Sequence, residues 1–405
     1  AAVLAGEQST GTFVRVALET DELRERFAAT VLDVTGLPPG DRPPLPGAFG
    51  APGAPGAPGA PGAPASRGLA RIAFPLHNFG PSLPNLLAAV AGNLFELREL
   101  AAVRLTDLEL PADFGARYPG PQFGVAGTRR VAGVPAGPMI GTIVKPSIGL
   151  PLDELRLLVR ELALAGIDFI KDDELNASPP HAPLADRVAV VTEELDRAAD
   201  KTGKRSMYAF NITDDISRLA ANHDLVARSG GTCVMVCVNL IGLAGLSYLR
   251  ERASLPIHGH RAMFGALNRS PQLGFGFTAF QKLVRLAGAD HLHTNGIRNK
   301  FYESDEEVLA SIRALREPLL GGYEALPVLS SGQWAGLAPQ TYRLTGTTDL
   351  LVLAGGGIHG HPDGAAAGVE SMREAWSCAL SGTDIAEAAA RNSALRHALE
   401  KFGPA

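Results

Sequence analysis

Residues 171 to 174 set one cation, Lys171, against three consecutive acids, Asp172, Asp173 and Glu174, at the end of the apolar run IDFI. If that run is a strand, its side chains alternate. Lys171 and Asp173 then share a face, and Glu174 joins them as the chain bends away. Two carboxylates suit a hard cation such as Mg2+, which takes oxygen ligands in octahedral geometry and keeps some of its waters. A lysine ammonium beside them would repel the metal, whereas a neutral amine that captured CO2 as a carbamate would supply a third oxygen. An ion pair capping the strand has the same spacing, so both readings stand at this point.

Residues with similar potential recur downstream. The glycine run 355–357 follows an apolar stretch, where exposed backbone N–H groups can cradle a phosphate, and Ser330-Ser331-Gly332 ends the stretch before it. Arg261 and His293 are candidates for a second anion, or equally for satisfied rim residues. Lys300 lies in TNGIRNKFYE, where Gly296 and Asn299 suit a mobile segment. A lysine there can close over a substrate and stabilise developing negative charge, although a solvated surface lysine fits as well. Cys233 and Cys237 share one apolar stretch and read as core.

The elements that must carry these residues form a regular series from residue 138 onward. Strands are expected at 141–147, 168–174, 207–213, 233–239, 256–262, 290–296, 326–332 and 350–357, separated by segments such as LDELRLLVRELALAG with apolar residues at helical spacing. Eight β-then-α units in series predict an α/β fold, a closed (β/α)8 barrel over 131–405 with chemistry at the C-terminal strand ends. The polar clusters do gather at those ends. Residues 1–130 predict a smaller α+β domain, with FVRVALE and RIAFPL as strands and TDELRERFAAT and PNLLAAVAGNLFEL as helices. The repeat APGAPGAPGAPGAP (51–64) is expected to be an extended loop within it.

Composition narrows the function classes. The 405 residues carry a net charge of −5, so there is no basic field to favour nucleic acid or an anionic membrane. Three cysteines without a CxxC pair build neither a disulfide framework nor a structural zinc site, and a reducing cytoplasm fits best. The start, AAVLAGEQST, lacks the pattern of a signal peptide. The uncharged stretch 232–249 reads as a buried strand followed by a loop rather than as a membrane span.

Several stretches together resemble the large chain of ribulose-bisphosphate carboxylase (RuBisCO). GTIVKPSIGL, DFIKDDE, HGHRAM, GADHLHTNGIRNK, PVLSSG and AGGGIHGHPDG occur in the family's order, with EQSTGTF and AGNLF matching its N-terminal domain. The resemblance implies a ferredoxin-like N-terminal domain, a catalytic barrel, and a homodimer whose partner lends residues to the active site, with higher assembly left open. It makes Lys171 the carbamylated lysine, which holds Mg2+ together with Asp173 and Glu174. Lys145 becomes a catalytic acid/base, His260 a neighbouring proton-handling group, and Lys300 the lysine of a closing loop. Arg261, His293 and Ser330 would hold one phosphate end or a sugar hydroxyl. Thr12, Gly332, Gly355 and Gly356 match the other phosphate region, where Ser331 is a further candidate for binding, and Glu7 and Asn93 match residues that reach across the dimer. Because the family's first strand precedes a motif like EQSTGTF, an element of the N-terminal sheet is expected to be missing.

Departures from the carboxylase pattern matter as much. Ser147 replaces a lysine, Phe264 a histidine, Ser331 a phosphate-site glycine and Phe13 a tryptophan. The chain is therefore similar to the form IV, RuBisCO-like proteins, which do not fix CO2. The resemblance implies Mg2+-dependent enediolate chemistry on a phosphorylated keto sugar, with decarboxylation or carboxyl transfer and hydrolysis of 3-oxo-isoapionate 4-phosphate as the first reading. An enolase or isomerase of a methylthio-pentose phosphate is the second, and a barrel that has lost catalysis and only binds is the third. Lys300 and Arg298 favour the first through a substrate carboxylate, and Phe264 favours the second through an apolar slot.

Overall fold

A computed structural model describes residues 1–12, 14–38, 42–48 and 67–403. The repeat 51–64 and Phe13 lie outside them. Two compact units divide the chain: Tyr118–Met263 with Gln281–Ala405, and Ala1–Arg117 with Phe264–Phe280. The expected boundary at 130/131 falls inside the helix Gly124–Ala132, whose preceding residue Phe123 donates its N–H to Asp290 Oδ1 at 2.6 Å.

The larger unit is a closed barrel of eight strands. In order they are Met139–Ile143, Phe169–Lys171, Met207–Asn211, Cys233–Cys237, Ile257–His260, His291–His293, Leu326–Leu329 and Leu351–Leu353. Every neighbouring pair is parallel, and the last strand closes on the first through Leu351 opposite Met139. Seven strands lie within the segments expected from their apolar runs, and the first starts two residues early, at Met139. The ladders end at or just before the polar residues, with Lys171, His260 and His293 as last members of theirs. Those residues therefore sit where the chain leaves the sheet. Inside the barrel Met139, Phe169, Met207, Cys233, Met235, Leu326, Val328 and Leu351 pack as one fully buried cluster, which fills the interior as a core.

After the fourth strand the chain does not form the expected loop. It turns at once into helical segments over Val238–Arg250, broken at Gly242 with φ 69°. Leu246 and Leu249, three residues apart, bury on the sheet and make the helix worthwhile. Among the described residues no helix is long and apolar enough to cross a membrane. All three cysteines are free and buried.

Two of the outer helices, Leu152–Leu164 and Leu184–Thr202, are tied by charge. The Glu194 carboxylate is fully enclosed and accepts from Arg160 Nε at 2.7 Å, Arg156 Nη1 at 2.9 Å and Arg197 Nη1 at 2.9 Å. Its hydrogen bond to Arg160 leads in pulling its pKa down from 4.5 to about 2, against the opposing effect of burial. A depressed carboxylate stabilises the fold above its unfolded pKa, and that contribution fades as pH falls from about 4.5 toward 2. Because the arginines are partly solvated, we expect about 1–3 kcal/mol at neutral pH. Urea midpoints of wild type and Glu194→Gln should differ most near pH 7 and converge near pH 2. A gap that stays constant over that range would refute the assignment.

The smaller unit is α+β. Thr30–Leu37 pairs antiparallel with Arg67–Ala73, and Val103–Leu105 pairs parallel with Leu273–Phe275. The helices Asp21–Phe27 and Leu83–Ala91 form where helical spacing predicts them, each capped by a side chain, Thr20 and Ser82. The strand expected at 13–19 is not formed over its described residues, 14–19. They run as bend and turn, with Glu19 N–H bonded to Val16 O at 3.0 Å. Alternation alone makes no strand without a neighbour to complete the ladder, and here the pairing partner of Arg67–Ala73 is Thr30–Leu37.

Candidate active site

The rim at the C-terminal strand ends is built from the last ladder residues and those just beyond. Lys171, His260 and His293 are the final residues of the second, fifth and sixth strands. Lys145, Ser330 and Gly355 follow the ends of the first, seventh and eighth. The structure thus brings these candidates to one end of a single barrel, and each is held by identifiable contacts.

Lys171 is fully buried, and its ammonium nitrogen donates to Asp172 O at 2.7 Å and lies 3.7 Å from Glu174 Oε2. Burial lowers its pKa, outweighing the attraction of Glu174 and Asp173. Asp173 faces the other lysine: Lys145 Nζ donates to Asp173 Oδ2 and to Ser147 Oγ, each at 2.7 Å. Ser147 thus anchors Lys145. Asp172 points away from this group. Its carboxylate accepts from Arg187 Nε at 3.1 Å, Tyr208 Oη at 2.6 Å and Asn211 N at 2.8 Å, all buried.

His260 is pushed well below the usual histidine range by burial first and by the nearby Lys171 second. Its Nδ1 accepts from Ala262 N at 3.2 Å, so the neutral ring carries its proton on Nε2, which lies 3.4 Å from Glu174 Oε2.

Behind this rim runs a chain of three further histidines. Thr128 Oγ1 contacts His291 Nε2 at 2.7 Å. His291 Nδ1 lies 3.3 Å from His258 Nδ1, and His258 Nε2 lies 2.8 Å from His293 Nε2. His293 Nδ1 ends the chain 3.1 Å from Ser330 Oγ. Burial lowers the pKa of all three rings, His291 to about 3, so each is neutral and carries a single proton. The Thr128 hydroxyl donates to Gly124 O one helical turn back. Its oxygen must therefore accept from His291 Nε2–H, which leaves His291 Nδ1 to accept from His258, His258 Nε2 to accept from His293, and His293 Nδ1 to accept from Ser330. One threonine thus fixes three tautomers and the direction in which the Ser330 hydroxyl points.

Arg261 is matched by an acid that sequence reasoning missed. Its guanidinium forks onto Glu303, with Nη1 donating to Oε1 at 3.1 Å and Nη2 bonded to Oε2. Both side chains are nearly enclosed, at 9% and 2% exposure. The Asn295 amide also donates to Glu303 Oε2, and its Oδ1 accepts from Ser331 Oγ at 2.7 Å. Ser331 itself has φ 71°, which a glycine would adopt without strain, so its bond to Asn295 offsets part of that cost. Glu303 lies in FYESDE, a polar run like any surface loop, and only its pairing distinguishes it.

Lys300 is exposed, with its backbone N–H bonded to Ser331 O at 3.0 Å and its ammonium 5.3 Å from the centre of the Phe301 ring. Gly332, at φ 94°, lies beside it. A Cβ on Gly355 would touch Lys145 Cε at 3.7 Å, while Gly356 faces open space. Glu7, Thr12 and Asn93 belong to the smaller unit, where all three are exposed and Asn93 Nδ2 donates to Glu7 Oε1 at 3.4 Å. Phe264, in the same unit, is buried against Phe280 and Phe277, with ring centres 4.6 and 5.8 Å away.

Among the described residues no three His, Cys, Asp or Glu side chains meet in a way that would hold a metal ion. Asp173 and Glu174 alone leave a hard cation short of protein ligands. The buried Lys171 beside them, its pKa lowered by burial, is the residue that a carbamate would convert into a third oxygen donor. The donor set fits Mg2+ in that form.

Comparison with known proteins places this geometry. Residues 124–402 match the family model of the ribulose bisphosphate carboxylase large chain, catalytic domain, and residues 61–114 match that of its N-terminal domain. The chain is 49% identical over 401 residues to a 3-oxo-isoapionate-4-phosphate transcarboxylase/hydrolase of Xanthobacter autotrophicus, covering 98% of this chain and 94% of that protein. It is 43% identical over 402 residues to a 3-oxo-isoapionate-4-phosphate decarboxylase of Rhizobium rhizogenes, with the same coverage. Its fold is similar to the crystal structure of a rubisco-like protein from Burkholderia fungorum, with a TM-score of 0.89, 45% identity, and coverage of 98% of this chain and 95% of that one.

Proposed function

The chain belongs to the ribulose bisphosphate carboxylase large-chain family, and we propose that it is a non-carboxylating enzyme of that family acting on 3-oxo-isoapionate 4-phosphate. The reaction is removal of the substrate carboxyl group next to its keto carbon, by decarboxylation or by transfer and hydrolysis. The observation that carries this reading is the buried Lys171 between Glu174 and the Lys145–Asp173 pair, in a chain so similar over its length to relatives named for that substrate.

Lys171 as carbamate, Asp173 and Glu174 would hold Mg2+. That ion, when bound, supplies Lewis-acid stabilisation of the enediolate charge left by carboxyl loss. Lys171 gains its carbamate when the neutral amine attacks CO2 and releases one proton. Lys145, fixed by Asp173 and Ser147, handles the proton at the carbon that loses the carboxyl group. His260 holds its Nε2 proton toward Glu174 and keeps that carboxylate oriented. Lys300 closes over the substrate, and the backbone at Gly332, Gly355 and Gly356 takes its phosphate. Glu7, Thr12 and Asn93 complete the site of a second copy in a cytoplasmic homodimer.

The methylthio-pentose reading loses its supporting residue, since the Phe264 ring is packed against Phe277 and Phe280. A binding protein without catalysis would have no use for a buried lysine flanked by acids, which is costly to keep.

Proton NMR in D2O with Mg2+ and bicarbonate tests the assignment, run separately on 3-oxo-isoapionate 4-phosphate and on 5-methylthioribulose 1-phosphate. Loss of the carboxyl group from the first is expected. Turnover or deuterium uptake confined to the second would move the protein to the isomerase branch.

A further inference from the structure

The rim at Arg261 is the natural place for a second anion, yet two independent features there oppose one. The first is charge. Arg261 is forked onto the enclosed carboxylate of Glu303, and Asn295 donates to the same carboxylate. The guanidinium's charge is therefore cancelled within the protein, and a phosphate dianion brought beside it would face Glu303 across a short, poorly solvated gap. His293, whose Nδ1 lies 3.1 Å from Ser330 Oγ, is held neutral by burial and adds no compensating charge.

The second feature is proton direction. The relay that starts at Thr128 obliges Ser330 to give its hydroxyl proton to His293. Ser331 gives its proton to Asn295. Both serine oxygens can therefore only accept from a ligand. A phosphate dianion has only acceptors and finds no hydroxyl donor here, whereas an alcohol O–H can donate to the hydroxyl oxygen of Ser330, a residue 8% exposed.

We propose that Glu303, with the Thr128–His291–His258–His293–Ser330 relay, makes this end of the site a reader of neutral alcohols, so that the enzyme takes singly phosphorylated substrates and rejects bisphosphates. This rests on the pocket being a sugar-phosphate site, as proposed above, but not on which bond breaks. Glu303 acts as a specificity-determining residue through Arg261.

The test uses two inert probes that differ by one phosphate, arabinitol 5-phosphate and arabinitol 1,5-bisphosphate, with affinities measured by isothermal titration calorimetry on the Mg2+- and bicarbonate-treated protein. Wild type should bind the bisphosphate no more tightly than the monophosphate. Glu303→Gln should tighten bisphosphate binding at least tenfold while changing monophosphate binding less than threefold, and adding Arg261→Met should remove the gain. A wild type that prefers the bisphosphate tenfold or more overturns the proposal, and this arm needs no variant to fold. An unchanged preference in folded Glu303→Gln overturns it as well. Turnover of a different monophosphate, with these preferences intact, would overturn the substrate assignment and leave this inference standing.

Discussion

Lys171→Ala lowers turnover of 3-oxo-isoapionate 4-phosphate by about a thousandfold or more, on the scale of losing a metal that stabilises an oxyanion. It also erases the dependence of Mg2+ affinity on bicarbonate. The reason lies in the burial of the side chain. A fully enclosed amine is disfavoured as the cation, and its lowered pKa leaves more of it free to attack CO2 at neutral pH. Without that carbamate only Asp173 and Glu174 remain to hold the ion, and Asp173 is already engaged by Lys145 at 2.7 Å. The check is a pair of measurements on the same protein: kcat by NMR, and Mg2+ affinity by calorimetry with and without bicarbonate. If the variant keeps a tenth of the activity and the same bicarbonate-dependent affinity, Lys171 is a structural ion-pair residue and the metal reading fails.

Arg187→Met costs about 3–5 kcal/mol of folding stability, because it strands a buried carboxylate. Arg187 and Asp172 are both fully enclosed, joined at 3.1 Å. The arginine also donates to Ala182 O at 2.8 Å and Ala177 O at 2.6 Å, pinning the segment after the second strand onto the helix that follows. In Arg187→Met, Asp172 keeps Tyr208 and Asn211 as donors but has no cation. The double variant Arg187→Met/Asp172→Asn should recover a substantial part of the loss, since no charge is then left unpaired. Chemical denaturation of the three proteins decides it: an Arg187→Met variant within 1 kcal/mol of wild type, as a surface substitution would be, would show that this pair does not hold the second strand end.

The barrel was legible in the sequence because each strand is a short apolar run with a polar or glycine-rich end, a pattern that survives reading one residue at a time. Alternation also separated Asp172 from Lys171 and Asp173, and the structure gives Asp172 its own partners on the other side. The failures have equally local causes. The strand expected at 13–19 had the right alternation, but pairing needs a neighbour that sequence alone does not supply. The loop expected after Cys237 is a helix because burial of Leu246 and Leu249 outweighs the glycines around them.

The sequence by itself determined the fold class, the family, and which residue types stand at the strand ends, since these depend on periodicity and ordered motifs. Only the tertiary structure decided how those residues are paired. Glu303 lies 42 residues from Arg261 and Thr128 lies 163 from His291, so no local pattern could join them. The barrel closes those distances to hydrogen-bond length, and in a buried, low-dielectric interior that contact fixes where charges cancel and which way protons point.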